Sequence, residues 1–129
     1  MPGELAAIAF GRAERATIVT IEGEIDMSNA QYVHDELMAR VGAAPWVLVD
    51  LSHCSYVDSA GLGVIARIDA RCREVGARLR LVVEAGSGID RVLSMTRLNE
   101  FLCVERTLED ALEGALEDVP AAPSARADA

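Results

Sequence analysis

The chain has 129 residues, enough for one domain that buries about two-thirds of its unfolded surface. Of these, 51% are apolar but only 4% aromatic, so the expected core is aliphatic and suits strands covered by helices. The net charge of -9 disfavours direct contact with nucleic acid or an anionic membrane, and the 12 cationic side chains are all arginine, which excludes Walker, Schiff-base and kinase lysine chemistry.

The start, Met1-Pro2-Gly3-Glu4-Leu5, lacks the basic flank of a signal peptide, and no apolar run approaches the ~18 residues of a transmembrane helix, so a cytoplasmic protein is expected. A first strand is expected over Leu5 to Phe10. Thr17-Ile18-Val19-Thr20-Ile21-Glu22 alternates and is β-branched, as a strand requires, and Gly23-Glu24-Ile25-Asp26 leads out of it. Ser28 or Asn29 can cap the helix that follows, where Tyr32, Val33, Leu37, Met38 and Val41 recur at helical spacing until Gly42, Ala43, Ala44 and Pro45 stop it. The run Trp46-Val47-Leu48-Val49-Asp50-Leu51, apolar except at Asp50, predicts a strand buried on both faces near the centre of a sheet.

A second helix is predicted from Ser59 to Val75, with Leu62, Ile65, Ile68, Cys72 and Val75 on its apolar side and Arg67, Arg71 and Glu74 largely on a solvated one. Next come a strand over Leu79 to Val83, a short helix from Ile89 to Met95 behind Gly86-Ser87-Gly88, and a strand over Phe101 to Val104. A last helix starts near Thr107, which has capping-box spacing to Asp110, and uses Leu108, Ala111, Leu112 and Leu116. Its acidic residues Glu109, Asp110, Glu113, Glu117 and Asp118 read as a solubilising surface, and a disordered tail is expected over 119–129. Alternating strands and helices imply an α/β fold with a mixed central β-sheet and helices packed against it.

Cys54, Cys72 and Cys103 form no Cys-x-x-Cys pair and have only His34 and His53 to join them, so buried reduced thiols are expected and neither a disulfide framework nor a metal site is. Cys54 and Tyr56 are assigned to packing. Chemistry concentrates at Ser59, which follows Asp58 and precedes Ala60, Gly61, Leu62 and Gly63. A serine there can cap the helix, carry a phosphate beside its N-terminus, or act as a nucleophile. Gly61-x-Gly63-x-x-Ala66, with Glu84 ending a later strand, matches a relaxed dinucleotide fingerprint, but Ser52 to Ala60 intervene where the tight turn belongs. A nucleophile elbow would want glycine at Val57, and an aspartyl-phosphate site at Asp50 would want a lysine. A cap and a phosphorylation switch remain.

Gly23-Glu24-Ile25-Asp26, Val47-Leu48-Val49-Asp50-Leu51 and Val57-Asp58-Ser59-Ala60-Gly61-Leu62-Gly63-Val64-Ile65 together resemble a STAS domain of the anti-sigma factor antagonist type, from about Leu5 to Leu116. The resemblance implies a STAS-like single domain over 1–118 that is no enzyme and needs no cofactor. Unphosphorylated, it would bind an anti-sigma factor that is also a serine kinase and so release a sigma factor. Phosphorylation of the serine matched by Ser59 would end that binding, and a separate phosphatase would restore it. By the same matching Asp26, Asp58, Ser59, Ala60, Gly61, Leu62 and Gly63 face the kinase; Arg67 and Arg71, by their place on the outer helix face, read either as an extension of that contact or as an ordinary solvated face. Ala60 stands where the family also uses a second serine. The alternative roles are a STAS scaffold in a signalling or lipid-transport complex, with Ser59 only a cap, and a small enzyme or nucleotide-binding protein that uses the glycines.

Overall fold

Six strands and four helices occupy most of residues 6–117, the part of the chain described by this computed structural model. In chain order they are β1 (Ala6–Ala13), β2 (Ala16–Ile25), α1 (Ala30–Met38), β3 (Trp46–Asp50), β4 (Cys54–Val57), α2 (Ser59–Glu74), β5 (Arg78–Val82), α3 (Gly88–Met95), β6 (Cys103–Glu105) and α4 (Leu108–Glu117), with a 3-10 turn at Leu98–Glu100. The strands form one mixed sheet in the order β1-β2-β3-β5-β6. The β1–β2 hairpin is antiparallel and the other pairings are parallel. The expected α/β fold, with a mixed sheet under helices, is thus the observed one. The expected tail lies outside the described residues, as do Leu5, the side chain of Glu117, and Asp118.

Every residue of β3 is buried, because helices cover both sheet faces. Val47 and Val49 join Val19, Ile21, Leu79 and Leu81 in a core with Val33 and Leu37 of α1 and Val64, Ile65, Ile68 and Cys72 of α2, to which α3 adds Ile89 and Leu93. Ala16, Trp46, Leu48 and Val82 form a second core with Ala111 and Ala115 of α4. Arg80 pairs with Leu48 in register and is 5% exposed. Its guanidinium lies 4.3 Å from the centre of the Trp46 ring, Nε donates to Cys103 Sγ at 3.2 Å, and Nη1 is 3.7 Å from the Glu105 carboxylate. A Cβ at Gly114 would run into that guanidinium, so α4 crosses Arg80 at a glycine.

β2 changes partner midway. Ala16 to Thr20 pair with β3, Gly23 to Ile25 pair with β4, and the register shifts between Gly23 and Glu24. Gly23 has φ 99, a left-handed conformation that glycine adopts without a Cβ penalty.

Several local expectations need correction. The strand β4 was unanticipated, because Cys-Ser-Tyr-Val has little pattern of its own and takes its identity from pairing with β2. Tyr56 on it is exposed rather than packed, whereas Cys54 is buried. α1 ends at Met38, and the chain tightens beyond it through Arg40 N–H to Leu37 O and Val41 N–H to Met38 O. Val75 caps the exposed end of α2 instead of joining its apolar side, and Leu116 is likewise half exposed. β6 starts two residues after the expected Phe101, which the 3-10 turn leaves exposed. Burial pushes the Cys54 thiol up and the Cys72 thiol up to about 12, while Cys103 is only half-buried beside Arg80. Thr107 does cap α4, its Oγ1 accepting from Asp110 N–H at 3.1 Å.

Candidate functional site

The C-terminal ends of β2 and β4 meet the N-terminus of α2, and Asp58 is the joint. Its N–H donates to Ile25 O at 3.1 Å and its backbone is extended, which turns the chain from β4 into the helix. Oδ1 accepts from Gly61 N–H at 3.0 Å, and Oδ2 accepts from Met27 N–H at 3.1 Å. One carboxylate therefore caps α2 and ties it to the β2–α1 turn. The expected cap at Ser59 is corrected by this arrangement: Asp58 is the N-cap and Ser59 is the first residue inside the helix. Ser59 is exposed, and its hydroxyl makes no hydrogen bond among the described residues.

Gly61 is buried, and the fit explains it. A Cβ there would stand 2.6 Å from Val57 Cγ1 and 3.1 Å from Ile25 O, so only glycine lets α2 sit this close to the strand ends. Gly63 has room for a Cβ, with the Arg67 guanidinium 3.5 Å away at ordinary contact distance. Ala60 and Leu62 are partly buried against the main core. Arg67 and Arg71 lie exposed further along the helix.

The turn carrying Asp26 is internally braced. Asp26 Oδ1 accepts from Ser28 N–H at 2.9 Å and Ser28 Oγ at 2.6 Å, and these bonds hold its carboxyl below the ordinary 3.8. Asn29 occupies the N-cap position of α1 without capping it, its Oδ1 accepting from Asp26 N–H and its Nδ2 donating to Glu24 O. Neither Ser28 nor Asn29 is thus the side-chain cap that the sequence offered. The Met27–Asp58 bond brings this turn against the start of α2, which joins Asp26 to the segment Asp58 to Gly63. Sequence reasoning passed over Met27 and assigned Tyr56 to packing; both are exposed apolar side chains, at 82% and 51%, on the segments that meet at Asp58. An apolar residue between Asp26 and Ser28 in a polar turn was the available signal.

The other chemistries have less to work with here. Gly61 and Gly63 lie inside α2, and the Gly61 amide that would meet a phosphate is taken by Asp58. His34 Nδ1 lies 3.2 Å from Asp35 Oδ1, and neither histidine bonds Ser59 among the described residues. Asp50 is buried with Oδ1 accepting from Ser52 N–H and Oγ. No cluster of three or more His, Cys, Asp or Glu is placed to hold a metal, and no helix is long and apolar enough to cross a membrane, among the described residues.

The model of the STAS domain family matches residues 7–111. Osmosensory protein A of Mycobacterium tuberculosis is 36% identical over 89 residues, or 63% of this chain, which spans 55% of that protein's length. The solved anti-sigma factor antagonist of Mycobacterium paratuberculosis superposes with a TM-score of 0.78 at 23% identity, over 85% of this chain and 93% of that one. The Bacillus cell fate determinant SpoIIAA in its phosphorylated form gives a TM-score of 0.61 at 17% identity, over 83% and 97%.

Proposed function

This chain belongs to the STAS domain family, and we propose that it is an anti-sigma factor antagonist switched by phosphorylation of Ser59. Unphosphorylated, it binds a cytoplasmic anti-sigma factor serine kinase and frees a sigma factor; a phosphatase acting on phosphorylated Ser59 resets it. The observation that carries this reading is the division of labour at α2. Asp58 does the capping, so the Ser59 hydroxyl is left exposed at the helix start and, among the described residues, unbonded. A serine required for the fold would be a poor substrate; this one is not required.

The charge physics supports a binding switch in preference to an unfolding one. A phosphate adds about -1.5 to -2 charges. The N-terminal dipole of α2 favours it by about 0.3–1 kcal/mol, and the Asp58 carboxylate next to it opposes it by a similar order, so the fold tolerates the group. A partner surface packed over Ser59 does not, because an unpaired buried dianion costs several kcal/mol and each ~1.4 kcal/mol is tenfold in affinity. Asp26, Asp58, Ala60, Leu62 and Gly63 then form the contact around the serine, with Met27 and Tyr56 as apolar flanks and the buried Gly61 seating α2 behind them.

The test is capture of the kinase from extracts of the protein's own cells, with phosphosite mapping. Wild type should carry phosphate on Ser59 after incubation with the captured kinase and ATP. Ser59→Ala should bind without being modified, and Ser59→Asp should bind at least about tenfold more weakly. Equal binding by wild type and Ser59→Asp would overturn the switch and leave a fixed scaffold.

A further inference from the structure

At the opposite end of β2 from Ser59, the chain leaving α1 closes over the β1–β2 hairpin. Between them is an open cavity of about 200 Å³ lined by Phe10, Gly11, Arg12, Thr17, Arg40 and Ala43. Its walls carry two guanidiniums. Arg40 lies over the Phe10 ring, 3.8 Å from its centre, and Arg12 stands directly opposite Thr17 in the β1–β2 ladder. Neither pairs with a carboxylate among the described residues, in a chain with 21 acidic residues to 12 arginines. Thr17 is 3% exposed, and its Oγ1 has no hydrogen-bond partner among the described residues. A buried hydroxyl in that condition is uncommon, and its surroundings identify what would complete it.

We propose that this cavity is a binding site for a small oxyanion, the phosphate or carboxylate group of a small molecule. Arginine forks donate in pairs to such groups, and the Thr17 hydroxyl adds a third donor. Stacking on Phe10 holds the Arg40 guanidinium in place, which lowers the ordering cost of binding. Carbonyls at the C-terminal end of α1 would by themselves repel an anion. Those of Leu37 and Met38 are already taken by the amides of Arg40 and Val41. Thr17 and Ile25 stand near opposite ends of β2, about 25 Å apart, so this site and Ser59 can be occupied together.

The test is an amide NMR titration of the full chain with sodium phosphate and, separately, sodium acetate, each against sodium chloride at equal ionic strength. Saturable shifts at Gly11, Arg12, Thr17, Arg40 and Ala43, with Ser59 and Ala60 unmoved, are expected in at least one arm. The arm that saturates at the lower concentration identifies the group preferred. Arg12 is exposed, so Arg12→Gln should keep the melting temperature and weaken binding about tenfold. Thr17→Val should weaken it by a smaller factor and also keep the fold, since the hydroxyl has no partner among the described residues. Shifts that stay linear in both arms, or saturation unchanged by Arg12→Gln, would overturn the site.

Discussion

At the scale of single residues, Asp58 and Ser59 stand side by side and both are good helix caps, yet the structure uses only one. The choice is made by tertiary contacts: the Asp58 amide is fixed on Ile25 O and its second oxygen on Met27 N–H, which sets the chain so that the aspartate faces the helix start. Asp58→Ala removes a cap worth about 1 kcal/mol and a second hydrogen bond worth about 0.5–1.5 kcal/mol, so it should destabilise by about 2 kcal/mol in urea unfolding. Ser59→Ala should stay within about 0.5 kcal/mol of wild type. The reverse order would make Ser59 the cap. Gly61 was readable from the sequence as part of a motif, but its reason was not: the crowding against Val57 and Ile25 exists only once β2, β4 and α2 converge.

At the scale of elements, most segments were legible, the short α3 and β5 included, and β4 was not. β3 announced itself as a continuous apolar run, and α2 as a helix with one apolar side. β4 has four residues with buried ends and an exposed middle, a pattern too brief to distinguish from a loop before its partner is known. α4 gives a sharper case. Its acidic outer face and its apolar positions were both readable, but not that Gly114 sits against the buried guanidinium of Arg80. In an exposed helix, glycine to alanine stabilises by about 1 kcal/mol. Here the added methyl must displace a side chain held by Trp46, Cys103 and Glu105, so Gly114→Ala should destabilise, by about 1–3 kcal/mol. A rise in melting temperature would show that Arg80 yields without cost.

At the scale of the whole molecule, strand and helix alternation and aliphatic composition sufficed to outline a covered mixed sheet. The segment Asp58 to Gly63 carried the family resemblance. What stayed hidden were features made by contact across the sheet: the bond from Asp58 to the Met27 amide, the exposed Met27 and Tyr56, and the paired arginines beside Thr17. The change of partner along β2 also bears on time as well as shape. The half of β2 paired with β3 lies inside the sheet, whereas the half paired with β4 holds only a four-residue strand, past a slip in register at Gly23. Native-state hydrogen exchange should therefore run on two clocks. Amides of β3 and β5 should open only with global unfolding, and those of β4 by local opening at least about tenfold faster. Uniform protection across both halves would mean that the seam at Gly23 is mechanically silent.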